Sequence, residues 1–257
     1  MAVGHEAPIF VVGDVHGHRD VLVRLLRDAG LVDSEERWSG ADARLWFLGD
    51  LVDRGPDGIG AIELVMGLER SASVGCLLGN HETLLLAVRR FGNRPSGGAG
   101  RSLVANWLWN GGRESDLARM TDEHATWIAG LPPLARVGDW LLLHSDTDRY
   151  LQLGSTVEQA CAAVHGILAS DDLESYDALM DVLFSRNALQ RAQAVDEMLA
   201  AFGGSRIVHG HTPIAFLLHV PAETVTGPLV YGGGRVVNAD HCLYDGGPGF
   251  VVRLDGV

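Results

Sequence analysis

Before residue 83 a short apolar run stops three times at a glycine and hands on a side chain able to hold a cation or a proton. Ile9-Phe10-Val11-Val12 runs into Gly13-Asp14-Val15-His16-Gly17. Leu45-Trp46-Phe47-Leu48 runs into Gly49-Asp50-Leu51-Val52-Asp53-Arg54-Gly55, and Val74 to Leu78 runs into Gly79-Asn80-His81-Glu82. Each run reads as a buried strand and is followed by a segment of helical spacing. Repetition of strand, loop and helix describes an α/β chain, in which ligands bind outside the carboxyl ends of the strands. Taken singly, Gly-Asp after a strand is an ordinary turn or helix cap. Three in register, each carrying Asp, Asn or His, are hard to attribute to turns.

The helices are read from His18 to Ala29, Gly58 to Glu69 and Thr83 to Arg90, each with apolar residues at helical spacing. Arg94-Pro95-Ser96-Gly97-Gly98-Ala99-Gly100 holds neither helix nor strand and marks a flexible joint that opens an insertion. Within it Ser102 to Asn110 carries Trp107 and Trp109, expected to pack a small helical lid, Thr121 reads as an N-cap, and Leu131-Pro132-Pro133-Leu134 ends it. Trp140 to Leu143 is a short strand ending in His144. Val157 to Ala201 is mostly helical around Phe184-Ser185-Arg186-Asn187, and Ile207-Val208 leads to His209-Gly210-His211-Thr212-Pro213. Short β runs follow at Phe216 to Val220, Leu229 to Tyr231, Val236 to Ala239 and Phe250 to Leu254, which predict a second sheet closing the core.

A chain of 257 residues with 47% hydrophobic content suffices for a substantial core, read as one domain over 1–257 with helical insertions at about 92–138 and 146–204. The net charge is −13 and all 20 basic residues are Arg, which argues against general nucleic-acid binding and leaves local Arg clusters for anions. Cys76, Cys161 and Cys242 form no C-x-x-C pair and read as free thiols in a reducing compartment. With Glu6 before and Asp14 after the first apolar run, the N-terminus reads as neither signal peptide nor membrane anchor, so the expectation is a cytoplasmic protein.

Collected, the strand-end residues are Asp14, His16, Asp50, Asn80, His144 and His211, a mixed oxygen and imidazole set with no thiolate. Such a set suits Mn, Fe or Zn in a catalytic site, with Asp50 central enough to bridge two ions. Two divalent ions in one site form the arrangement that clamps an in-line displacement at phosphorus.

These motifs, Gly13-Asp14-Val15-His16-Gly17, Gly49-Asp50 through Gly55, Gly79-Asn80-His81-Glu82, His144 and Gly210-His211, resemble in order those of the calcineurin-like metallophosphoesterases, and within them the phosphoprotein phosphatases and their bacterial relatives. The resemblance implies a β-sandwich of two mixed sheets flanked by helices. It implies two divalent metals, with Mn expected ahead of Fe or Zn. Asp14, His16 and Asp50 would hold the first, and Asp50, Asn80, His144 and His211 the second, while His209 is a neighbour. It further implies His81 as the general acid oriented by Asp53, and Glu82 as a residue that orients the ligands. Arg54 is expected to grip the phosphoryl oxygens, with Asn80 and Arg186 as further substrate contacts.

Where the phosphoprotein phosphatases have His-Gly-Gly, this chain has His144-Ser145-Asp146, which puts an acidic side chain near the second metal or the substrate entrance. The expected reaction is hydrolysis of a phosphomonoester, in a phosphorylated protein or a small molecule. The alternative is a phosphoanhydride, as in the diadenosine tetraphosphate hydrolases, which the chain resembles through Arg54-Gly55-Pro56. Those enzymes tend to lack an Asp at the place of Asp53, which favours the first reading.

Overall fold

The computed structural model describes residues 7–95 and 100–257. Glu6 and residues 96–99 of the expected joint lie outside the described residues.

The three repeated units fold as read. Strand β1 (Ile9–Val12) leads to helix α1 (Arg19–Asp28), β2 (Arg44–Phe47) to α2 (Gly58–Glu69), and β3 (Val74–Cys76) to α3 (Asn80–Phe91). Helix α3 starts three residues earlier than the apolar spacing suggests, because Glu82 turns back and accepts the Gly79 N–H at 3.1 Å. Asn80 and His81 therefore sit in the first turn of a helix rather than in a loop. That anchors both side chains more firmly.

The segment after the joint forms helices α4 (Leu103–Trp109), α5 (Glu114–Arg119) and α6 (Asp122–Ala129), the last capped by Thr121 as expected, its hydroxyl oxygen accepting the His124 N–H at 3.2 Å. Strand β4 (Leu134–Val137), which the proline pair hid, then pairs antiparallel with β5 (Trp140–Leu143). Helices α7 (Val157–Ala169), α8 (Leu173–Leu183) and α9 (Ala192–Phe202) precede β6 (Arg206–His209). The β run expected over Phe216 to Val220 is not a strand: its first three residues belong to the short helix α10 (Ile214–Leu218). The Pro213 carbonyl starts it by accepting the Phe216 and Leu217 N–H groups, and of its residues only Ile214 and Ala215 are buried. Strands β7 (Leu229–Tyr231), β8 (Val236–Asn238) and β9 (Val252–Arg253) complete the order.

The strands form two mixed sheets, ordered β3-β2-β1-β9 and β4-β5-β6-β8-β7. Strand β9 pairs antiparallel with β1, so the last β run extends the first sheet instead of the second. In the first sheet β1, β2 and β3 are parallel, and in the second β5, β6 and β8 are parallel. The sheets pack through one apolar layer that includes Val11, Leu48, Leu77, Leu142, Val208 and Val237. A larger cluster, with Leu22, Ile62, Leu85 and Leu179, seats the helices on the outer faces. This is the sandwich architecture anticipated, with the edge strand β7 left partly open at Val230. Among the described residues no helix is long and apolar enough to cross a membrane.

Candidate active site

The loops at the carboxyl ends of β1, β2, β3, β5 and β6 meet at one place, and their backbones are bent to do so. His16 (φ 44°), Asp50 (φ 53°), Asp53 (φ 65°), Arg54 (φ 63°) and His211 (φ 65°) all lie in the left-handed region. For a residue with a Cβ this costs about 1–2 kcal/mol, and such outliers gather where side chains are aimed for a task. Gly79 and Gly210 permit the closest approaches, since a Cβ on either would overlap the Asp50 or the Asp14 carboxylate.

All six expected metal residues are buried and converge on this point. His16 Nδ1 donates to the Val52 carbonyl at 3.1 Å, and His144 Nδ1 donates to the Leu48 carbonyl at 2.8 Å. Each bond fixes the tautomer and turns the Nε2 lone pair into the cluster, as outer partners of metal-ligating imidazoles do. His16 Nε2 faces Asp14 Oδ2 and Asp50 Oδ2, each at 3.8 Å. His144 Nε2 faces Asn80 Oδ1 at 2.8 Å and Asp50 Oδ1 at 3.5 Å. Lone pairs aimed at oxygens from both sides of Asp50 are a donor set for cations. Two groups of potential ligand atoms, His16/Asp50/His81 and Asp50/His144/His211, each lie within 4.8 Å of one another and share Asp50. Each group could hold a metal ion; the first contains His81 and not the expected Asp14, which meets His16 Nε2 at 3.8 Å.

Glu82 holds the Asp50 loop in place. Its carboxylate accepts the N–H groups of Asp50 at 2.8 Å, Leu51 at 2.7 Å and Val52 at 3.3 Å, besides that of Gly79.

His81 differs from the other imidazoles. Its Nδ1 meets Asp53 Oδ2 at 2.8 Å, and its Nε2 lies 3.5 Å from an Arg54 amino group and 4.0 Å from Asp50 Oδ2. Asp53 is held in turn by the α4–α5 segment. The Trp107 indole N–H donates to Asp53 Oδ1 at 2.9 Å, and the Asp116 carboxylate accepts the Asp53 N–H at 3.1 Å and the Gly58 N–H at 3.2 Å. Arg113 donates to the Arg54 carbonyl at 2.6 and 2.9 Å, while the Gly111 carbonyl accepts the Arg54 N–H at 2.7 Å. Trp107 thus packs helix α4 of the insertion, as expected, and its indole also supports the Asp53–Arg54 loop. Trp109 is 73% exposed, with the Arg101 guanidinium 4.2 Å above its ring.

Arg186 lines the same cavity as Arg54 and Asp50, one amino group lying 3.1 Å from His211 Nε2. Asp146 does not point at the metal positions or the entrance. It is buried, and its carboxylate accepts the Thr212 hydroxyl at 2.6 Å and the Asn187 N–H at 2.8 Å, tying the Arg186 loop to the His211 loop. His209 turns away as well, donating through Nδ1 to its neighbour's carbonyl and accepting the Tyr231 hydroxyl at Nε2, 2.8 Å in both cases.

The electrostatics divide the imidazoles. Burial pushes His16, His144 and His211 below the ordinary histidine range, keeping them in the neutral, ligating form. Burial also pushes His81 down, but the Asp50 charge and the Asp53 hydrogen bond and charge outweigh it, leaving His81 raised. Asp50 is raised by burial and pulled down further by His144, His81, His16 and His211, ending below the usual carboxylate range. Burial, then Asp240 and Asp50, drive Asp14 well up. Burial and Asp50 raise Glu82 to about 7.

The sequence pointed to Trp107 only as packing and gave no sign of its bond to Asp53, of Asp116 and Arg113, or of the fixed orientation of Asp146, because each acts across 40 or more positions of chain. Comparison with known proteins agrees with the geometry. A family model described as calcineurin-like phosphoesterase matches residues 7–253. A symmetrical bis(5'-nucleosyl)-tetraphosphatase of Legionella pneumophila (strain Lens) is 31% identical over 184 residues, 67% of this chain and 63% of that one. The chain thus spans less than two thirds of that relative's length. Serine/threonine-protein phosphatase 1 of Salmonella typhimurium is 32% identical over 134 residues, 52% of this chain and 51% of that one. Among solved structures, the cold-active protein-tyrosine phosphatase of a psychrophile Shewanella sp. has a TM-score of 0.68 at 21% identity, covering 93% of this chain and 72% of that one. At that identity the likeness speaks for the fold alone.

Proposed function

This chain belongs to the calcineurin-like phosphoesterase family, whose members are metal-dependent hydrolases, and from that premise we propose that it hydrolyses phosphomonoesters with His81 as general acid. The observation that carries the reading is the Asp53–His81 pair at 2.8 Å with Arg54 3.5 Å from the other imidazole nitrogen. Two divalent ions, Mn expected ahead of Fe or Zn, would be held by Asp14, His16 and Asp50 and by Asp50, Asn80, His144 and His211. They would supply Lewis-acid polarisation of the phosphoryl group and activation of water.

The remaining work belongs to the chain's own side chains. Arg54, Asn80 and Arg186 line one cavity, where the two guanidinium forks can grip phosphoryl oxygens. Asp53 keeps the His81 Nδ1 proton in place and, with Asp50, favours the imidazolium. His81 Nε2 then delivers a proton to the departing oxygen. The divergence of His81, raised, from His16, His144 and His211, lowered, supports assigning it to proton transfer and the others to coordination. The free thiols of Cys76, Cys161 and Cys242 suit a reducing compartment such as the cytoplasm.

A second reading, hydrolysis of a dinucleoside tetraphosphate, has the name of the Legionella relative in its favour. Parallel assays of the Mn²⁺-loaded protein on a phosphoserine/phosphothreonine peptide and on diadenosine tetraphosphate decide between them. A peptide kcat/KM about tenfold higher, ~1.4 kcal/mol of transition-state stabilisation, supports the monoesterase. A comparable excess for the dinucleotide overturns it in favour of the anhydride, leaving the metal and His81 assignments in place.

A further inference from the structure

Strand β8 ends at this site too. It runs parallel to β6, and Val236-Val237-Asn238 is followed by Ala239 and Asp240, the same succession of apolar strand and carboxylate that delivers Asp14 and Asp50. Asp240 is 1% exposed and lines the same cavity as Asp14, Asp50, His81 and His211. Its Oδ1 accepts the Cys242 N–H at 2.9 Å and so forms a local turn, whereas its Oδ2 has no hydrogen-bond partner. A buried carboxylate oxygen without a partner is destabilising unless a cation or a donor meets it.

The position of Asp240 shows which part of the site this oxygen serves. A Cβ on Gly13 would overlap the Ala239 carbonyl and come within 3.2 Å of the Asp240 Cα, so the residue just before Asp14 packs against the residue just before Asp240. Four residues on, Tyr244 meets the His16 ring edge-on at 5.2 Å and lies flat under the Arg54 guanidinium at 3.9 Å. The 239–244 loop therefore borders Asp14 and His16, while the Asp240 carbonyl accepts the Ile214 N–H at 3.2 Å just beyond His211.

We propose that Asp240 is a further carboxylate of the first metal position, its Oδ2 held for the cation or for a water on it, beside Asp14, His16 and Asp50. The inference rests on the dinuclear reading above and adds a residue to it. It explains why an Asp stands where an Asn would make the same turn: both offer an acceptor to Cys242, and only Asp places a negative charge on the second oxygen.

Asp240→Asn separates these roles, since the amide oxygen keeps the Cys242 bond. Metal content after desalting and a Mn²⁺ titration followed by calorimetry are the readouts. The wild-type protein is expected to take up two Mn²⁺ per chain. Asp240→Asn is expected to retain one and to bind the other about 10- to 100-fold more weakly, the range typical of groups supporting a metal. The rise in Tm that Mn²⁺ produces should shrink, while the metal-free variant melts no lower than the metal-free wild type. Two equally tight ions in both proteins would overturn the role of Asp240 alone, whereas a wild type that binds none would overturn the dinuclear reading with it. Should Asp240→Asn fail to fold, a crystal structure of the Mn²⁺-loaded wild type decides. Asp240 Oδ2 on the first ion or on one of its waters supports the proposal, and Oδ2 turned away from both refutes it.

Discussion

The Trp107 indole N–H donates to Asp53 Oδ1 at 2.9 Å while the other oxygen of that carboxylate faces His81 Nδ1 at 2.8 Å. One helix of the inserted segment thereby fixes the carboxylate that fixes the proposed acid. Trp107→Phe keeps the packing and removes the donor, and losing a hydrogen bond to a buried charged group costs roughly 1–3 kcal/mol. We predict that Trp107→Phe lowers kcat about tenfold, leaves Mn²⁺ content unchanged and lowers Tm modestly. Steady-state kinetics beside metal analysis checks this, and unaltered kcat would detach Trp107 from the reaction.

The Asp53 carboxylate should also set the alkaline limit of activity. A general acid works only while protonated, so the rate falls as pH rises through its pKa. Burial lowers the His81 pKa, and Asp50 together with Asp53 raises it to a net value above the ordinary one. Asp53→Asn removes one of the raising charges, so the alkaline limb of kcat against pH is predicted to move to lower pH. A limb that stays in place would mean that another group titrates there.

Asp146 ties the Arg186 loop to the His211 loop through Asn187 and Thr212. If its task is to present Arg186, then Asp146→Asn should weaken inhibition by inorganic phosphate and raise KM several-fold. Asp146→Asn combined with Arg186→Ala should be little worse than Arg186→Ala by itself, the signature of two residues acting through one another. Additive losses would show that Asp146 supports the fold more broadly.

Much of this site was legible from local pattern. Strand, glycine and carboxylate recur at fixed spacing, so β1 to α3 and the residues Asp14, His16, Asp50, Asn80 and His81 could be placed by reading along the chain. The β run expected at Phe216 to Val220 has the same source: Phe216, Leu217 and Leu218 are apolar, and what makes them helix is the turn that the Pro213 carbonyl closes onto the Phe216 and Leu217 N–H groups. The role of Trp107, and Asp116 and Arg113 altogether, were illegible because their partners are Asp53, Arg54 and Gly58, which only the folded chain brings near. Asp240 is the intermediate case. Its strand signal resembles that of Asp50, but the glycine that marked the other strand ends is missing.

Removing metal should destabilise the whole sandwich. Asp14, Asp50 and Glu82 are buried close together, and Glu82 is pushed up to about 7 by burial and by Asp50. Mn²⁺ binding only to the folded state adds about 2.7 kcal/mol at a hundredfold excess over Kd. We predict that EDTA lowers Tm by several degrees and that Mn²⁺ restores it, while Asp50→Asn shows neither loss nor recovery because both positions share that carboxylate. Differential scanning calorimetry with and without EDTA measures this, and an EDTA-insensitive Tm in the wild type would argue against tightly held ions.

The most direct test of the central claim compares His81→Asn with wild type on two phosphomonoesters, one with an alkyl leaving group and one with p-nitrophenolate, with metal content measured in parallel. Protonation matters most for the alkoxide, and two Mn²⁺ are expected in both proteins because His81 is assigned no metal. Loss of kcat should be on the order of 10²–10⁴ for the alkyl phosphate and much smaller for p-nitrophenyl phosphate. Equal losses on both esters, or loss of an ion in His81→Asn, would contradict the general-acid assignment and move His81 among the metal ligands.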